Sequence, residues 1–262
     1  MPRLADTTSA LRERGERALV AFVTAGTPSL SELPAILDTL ADAGADVIEL
    51  GVPFSDPIAD GPTIQASSMR ALEAGTNLTG VLAAVRGFDR VPVLMMGYCN
   101  PMLAYGLERL AQDAAAAGVS ASIVCDVLPE ESQEWRRLSR EAGLDTVFIA
   151  APTCTDERLR VVCEASIGFV YALSRTGVTG AGAEVSSDAR ELVSRLRGQT
   201  DLPVYVGFGI STPAHVSEVV SFADGAIVGS PIVDLIGREW DDGRGREALA
   251  RYVREMKLAT NA

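Results

Sequence analysis

Three carboxylates, Glu49, Asp56 and Asp60, fall close together in the stretch VIELGVPFSDPIADGPTIQ, residues 47–65. Glu49 interrupts an apolar run between Ile48 and Leu50. Asp56 and Asp60 follow in a segment punctuated by Pro53, Pro57 and Pro62, whose rings fix φ near one value. A stiffened acidic loop beside a carboxylate set in an apolar strand suits proton transfer. A poorly solvated carboxyl group rises in pKa toward neutrality and becomes a usable acid and base. The bland alternatives are an ion pair for Glu49, a turn cap or surface contact for Asp56, and a helix N-cap for Asp60, just ahead of Pro62.

Scarcity narrows the other chemistries. His215 is the single histidine and Lys257 the single lysine. A Ser-His-Asp triad would have to use His215, in STPAHVSEVV, which reads as an ordinary helix start. A Schiff-base amine would have to be Lys257, in the last helix. A histidine-rich zinc site is impossible, so no metal is expected. Cys99, Cys125, Cys154 and Cys163 show no C-x-x-C spacing and read as small apolar fillers. Three of them fall near ends of predicted strands, where they could face a pocket.

A second constellation lies late in the chain: SRTGVTGAGAE, GFGIST and VGSP. Glycine lets backbone N–H groups approach a ligand closely, and such turns bind phosphate without side-chain charge. Gly180, Gly209, Gly229 and Ser230 are the candidate phosphate-binding residues. TGVTGAGAEVSS is small and apolar-poor and reads as a lid. MMGYCNPMLAYG offers Tyr98 and Asn100 as pocket-lining or capping residues.

These groups need a frame. Short apolar runs alternate with helical patterns along the whole chain: ALVAFVTAG, DVIELGVPF, VPVLMMGY, ASIVCDVL, DTVFIAAP, GFVYALSR, PVYVGFGI and GAIVGSPI. The helical patterns between them begin near Ser, Thr or Asp and stop at Gly44, Gly118 and Gly143. Eight such units predict an α/β fold, a single (β/α)8 TIM barrel spanning residues 1–262 with an extra N-terminal helix. A doubly wound sheet ranks below it, because FVTAGTPS lacks the G-x-G-x-x-G fingerprint. In a barrel, catalytic groups gather at the C-terminal strand ends and phosphate sites follow strands seven and eight. By the period of two, Glu49 shares a face with Val47 and Gly51.

The 262 residues are 47% hydrophobic and 22% charged, with a formal net charge of -12. A nucleic-acid surface is therefore disfavoured, whereas backbone amides still admit a small phosphate ester. There is neither a leader-like apolar core near the start nor a run of about 18 apolar residues. The expected location is the cytoplasm.

ELGVPFSDPIADGPTIQ, taken with LSRTGVTGA, VGFGIS and VGS, resembles the α subunit of tryptophan synthase, in the right order over nearly the whole chain. The resemblance implies a barrel lyase that cleaves indole-3-glycerol phosphate to indole and glyceraldehyde 3-phosphate by retro-aldol chemistry, in tryptophan biosynthesis. It implies no cofactor in this chain, and a β subunit carrying pyridoxal phosphate as partner, in an α2β2 tetramer. Glu49 then matches the catalytic acid–base and Asp60 the second carboxylate. Phe22, Ile64, Tyr98, Cys125, Tyr171 and Phe208 match the substrate pocket, and Thr179 a lid residue that closes toward Asp60. Pro53, Asp56 and Asn100 fall in partner-contacting segments. Leu128 departs from a usual proline, with Pro129 shifted along, and Thr27 from a common Asp. Cys99 and Cys125 stand where cysteine is unusual. The competing readings are a stand-alone lyase of the same chemistry and a silent phosphate-binding regulatory barrel.

Overall fold

The computed structural model describes residues 2–174, 187–207, 209–241 and 244–261. Among them, nine parallel strand segments and twelve α-helices alternate. The strands are β1 (Ala18–Thr24), β2 (Val47–Gly51), β3 (Val93–Gly97), β4 (Val119–Val124), β5 (Asp145–Thr146), β6 (Ile149–Ala150), β7 (Val170–Leu173), β8 (Val204–Gly207) and β9 (Gly225–Val228). Their order is β5-β4-β3-β2-β1-β9-β8-β7-β6. The two ends of that order, β5 and β6, are halves of one extended run. Val147 donates its N–H to the Ser122 carbonyl, and Tyr171 donates to that of Phe148, so the ladder closes across the join. The eight predicted units are therefore present, the fifth split at Val147–Phe148. The last two predicted runs are shorter than read, because GFGI leaves β8 at Gly207 and a helix begins at Ser230.

Two apolar layers follow from the strand period. Leu19, Ala21, Ile48 and Leu50 face the helices, whereas Val20, Phe22, Val47, Leu94, Tyr171 and Ile227 fill the barrel. Burying both faces of each strand is why these segments read as continuous apolar runs. Glycine is required where the interior is tightest: a Cβ at Gly207 would sit 2.2 Å from the Tyr171 hydroxyl, and one at Gly51 would sit 2.5 Å from the Phe22 ring.

The helix predicted before the first strand, α1 (Leu4–Glu13), plugs the N-terminal end of the barrel. Its Leu4 and Leu11 join the interior cluster beside the stacked rings of Phe169 and Tyr205, 4.4 Å apart. The Thr8 hydroxyl donates to the Gly168 carbonyl at 2.9 Å. Asp145 accepts from Arg3 and from the Ala5 N–H, both at 3.0 Å. The opposite end, where the strands point, is left for a site. Helix stops follow the sequence: Gly44, Gly118 and Gly143 all have positive φ. Helix starts follow it less closely. Asn77, Thr155 and Thr212 cap through their side chains, while α2 (Leu33–Asp42) and α7 (Gln133–Ala142) begin at Glu32 and Ser132 without a side-chain cap. Among the described residues, no helix is long and apolar enough to cross a membrane.

Candidate active site

Glu49 points into the barrel, level with Phe22 on β1 and Leu94 on β3. Only 1% of it is exposed, and its Oε2 has no hydrogen-bond partner among the described residues. Among the described residues no ion pair to Glu49 is formed. Burial, with the charge of Asp60 second, pushes its carboxyl up to about 8. A group in that position is protonated at neutral pH and close to giving its proton up.

Asp60 ends the loop after β2. The N-cap of α3 (Pro62–Glu73) is Gly61, so Asp60 is free of that duty. It is buried and accepts from the Tyr98 hydroxyl at 3.0 Å; the Ala59 N–H in turn donates to that oxygen at 3.1 Å. Burial raises its carboxyl to about 6, with the Tyr98 hydrogen bond pulling the other way. Asp60 thus ionises first, while Glu49 is still neutral. Glu49 must then ionise beside an existing anion, and the two carboxyls separate into an ionised and a protonated member near pH 7. The helix that follows is tied to the segment after β1: Thr27 makes a 2.8 Å hydroxyl contact with Ser67 on α3.

Both carboxylates open onto one cavity of about 380 Å³. Phe22, Ile64 and Tyr171, three of the predicted substrate residues, line it with them. So do Gly209, Gly229 and Ser230, three of the four predicted phosphate residues. Gly209 has φ +76°, a backbone state that suits glycine. Ser230 opens α11 (Ser230–Glu239), whose N-cap Gly229 offers no side-chain acceptor. Pro231 has no N–H, and the N–H groups of Ile232 and Val233 donate to the Gly229 carbonyl, so in this first turn the Ser230 N–H is the one left for an anion. Thr179, Gly180 and Phe208 lie outside the described residues, as does the lid stretch 176–187 up to residue 186.

Tyr98 and Cys125 stand behind the wall rather than in it. Tyr98 reaches the site through Asp60, and Cys125 packs against the interior cluster, its thiol raised well above the usual range by burial first and by Asp60 and Glu49 next. Met96, Ile227 and Asp234 line the cavity and were missed. The first two follow from the strand period, two residues from Leu94 and Gly225; Asp234 follows from the helix period, one turn beyond Ser230.

On the outer rim, Asp56 and Asn100 are exposed, whereas Pro53 is buried. Ile58, Leu103 and Leu128 are large exposed apolar side chains on the connections that follow β2, β3 and β4, near Asp56 and Asn100 in sequence.

A family model described as tryptophan synthase alpha chain matches residues 8–261. A tryptophan synthase alpha chain from Geobacter sp. (strain M21) is 50% identical over 98% of this chain and 97% of its own. A solved structure of Mycobacterium tuberculosis tryptophan synthase superposes with a TM-score of 0.91 at 37% identity, covering 99% of this chain and 98% of that one. The alpha subunit from Legionella pneumophila str. Paris superposes with a TM-score of 0.89 at 32% identity, covering 100% and 99%.

Proposed function

This chain belongs to the tryptophan synthase alpha chain family, and from that premise we propose that Glu49 and Asp60 are the acid–base pair of its reaction. The chain is a carbon–carbon lyase that cleaves indole-3-glycerol phosphate to indole and glyceraldehyde 3-phosphate. Protonated Glu49 gives its proton to C3 of the indole ring, turning the ring into a cationic indolenine. The resulting carboxylate takes the proton of the hydroxyl on the adjacent side-chain carbon. The bond from that carbon to C3 then breaks, its electrons restore the indole, and the carbon leaves as the aldehyde. Glu49 ends protonated, as it began. Ionised Asp60 accepts from the ring N–H and offsets the positive charge. The phosphate lies on Gly209, Gly229 and the α11 N-terminus. Phe22, Ile64 and Tyr171 enclose the organic part.

The observation that carries this reading is the pair of buried carboxylates on one cavity, held at about 8 and about 6. The chain's family has a β subunit as partner. In our reading the two associate as α2β2, pyridoxal phosphate resides in the β subunit, and this chain needs no cofactor. The apolar rim of Ile58, Leu103 and Leu128, with Asp56 and Asn100 among them, supports docking at the C-terminal end of the barrel, and residues 1–262 act as one barrel domain. An assay of indole release with and without a β subunit tests both parts. Slow release alone and a large increase with β supports the complex; equal rates favour a stand-alone lyase. Release that persists in Glu49→Gln overturns the pair.

A further inference from the structure

Ser211 ends the glycine turn after β8 and lines the cavity, yet its polar groups are held from behind. Its N–H donates to Nδ1 of His215 at 3.3 Å, and its hydroxyl lies 3.4 Å from the same nitrogen. Its carbonyl accepts from the Tyr252 hydroxyl at 3.0 Å. His215 sits in the first turn of α10 (Pro213–Val220), where its own N–H donates to Thr212 Oγ1 at 3.2 Å. Tyr252 comes from α12 (Arg246–Leu258), so two helices grip one residue of the turn. Accepting at Nδ1 requires the neutral imidazole with its hydrogen on Nε2.

Two residues upstream, Gly209 has φ +76° and no side chain to anchor it. The direction of its N–H depends on the anchors on either side, which are the β8 ladder before it and Ser211 after it. A misdirected N–H is a weak donor, because hydrogen bonds fall off steeply with angle.

We propose that His215 is a positioning residue for phosphate: together with Tyr252 it clamps Ser211 and so aims the Gly209 and Ile210 N–H groups into the cavity. The proposal rests on the phosphate cradle assigned above. The two contacts to Nδ1 are long, so the effect is a few-fold change and not an abolition.

The test measures binding of glycerol 3-phosphate and of indole, with kcat and KM for indole release, on the full chain. In His215→Ala, glycerol 3-phosphate should bind about three- to tenfold more weakly, the loss of a modest hydrogen bond or two, with KM rising in step. KM should change more than kcat. Indole occupies the other part of the cavity, and its affinity should stay within about twofold by the same scale. His215→Asn places Oδ1 where Nδ1 stood and should restore most of the loss. Tyr252→Phe should weaken phosphate in the same direction. Wild-type phosphate affinity in His215→Ala overturns the clamp. So do equal losses for indole and phosphate, which mark a merely structural role, and an Asn variant no better than Ala. Gly209→Val separates the layers. If it keeps phosphate affinity, the cradle itself is misplaced and the clamp falls with it; if it loses affinity while His215→Ala does not, the clamp alone is wrong.

Discussion

Each end of this barrel buries a carboxylate, and the two are treated in opposite ways. At the closed end Asp145 is 2% exposed and both oxygens are engaged, one by Arg3 and the other by the Ala5 N–H. That carboxylate ties α1 across the bottom. At the open end Glu49 is 1% exposed, and one oxygen has no partner among the described residues. Its burial is answered by a proton instead of a donor. A satisfied buried acid fixes structure, and an unsatisfied one stores reactivity. On the proposed mechanism, the first serves the fold and the second the chemistry.

The largest test of that division is Glu49→Gln. Loss of the proton-transfer group should lower indole release by about 10²- to 10⁴-fold. Stability should move the other way. Glu49 in the folded state titrates at about 8, above its ordinary 4.5. The folded chain therefore keeps a proton that the unfolded chain releases, and stability falls as pH rises from about 4.5 to about 8. Glutamine carries no such proton, so thermal unfolding of the variant should occur above wild type, and the gap should widen from pH 5 to pH 8. A variant that unfolds lower at both values would mean that Glu49 serves the fold after all.

Asp145→Ala is the mirror experiment. It strands the Ala5 N–H and releases Arg3, and should cost about 1–3 kcal/mol in unfolding free energy. Most of that is the half-buried Ala5 amide, since Arg3 itself is exposed and its charge screened. Indole release per folded molecule should fall far less than in Glu49→Gln. A collapse in turnover of correctly folded Asp145→Ala would join the two ends into one functional unit and break the comparison.

The two carboxylates also differ in how readily the sequence gives them away. Glu49 is a charged letter inside the apolar run VIELG, and the strand period groups it with Val47 and Gly51 on one face. Asp145 opens DTVFIA at a strand start and gives no such signal, because its partners lie 142 and 140 positions away. The same holds for Tyr98, whose bond to Asp60 spans 38 positions, and for the clamp of Tyr252 on Ser211, which spans 41. The barrel itself was legible because alternation of strand and helix is local. The split of the fifth strand and the unused caps at Glu32 and Ser132 were not, since tertiary packing decides where a ladder or a first turn closes. Asp60 was legible as a carboxylate in a stiff loop, but its release from capping appears only once Gly61 takes the N-cap.

Tyr98→Phe sharpens the comparison within the open end. The proposed mechanism needs Asp60 ionised, above about 6, and Glu49 protonated, below about 8, so kcat/KM should describe a bell between those limbs. The Tyr98 hydroxyl lowers the Asp60 carboxyl. Without it the acid limb should move to higher pH and the bell narrow, with turnover at pH 7 reduced by about three- to tenfold. An unmoved acid limb in the Phe variant would show that Asp60 is not the group titrating there.

The smallest expected effect concerns Asp234, an acid on the cavity wall one helical turn beyond Ser230. Unlike Asp145 it is 53% exposed, and its partner Arg238 lies at 3.0 Å on the same helix. Among the described residues it accepts from no buried donor, and the proposed mechanism gives it no proton to move, so neither role assigned to the other acids fits it. What remains is its charge, which lies near the proposed phosphate cradle and repels a dianion. Asp234→Asn removes that charge, which favours the phosphate. Exposed charges are strongly screened, so KM for indole-3-glycerol phosphate should fall by only about twofold at low salt. The gain should shrink toward nothing near 1 M salt, where the screening length is about 3 Å. Steady-state KM measured at two ionic strengths decides it. A KM that rises instead would place Asp234 among the groups that hold the α11 terminus in shape, and the phosphate end would then be built more like the closed end than like Glu49.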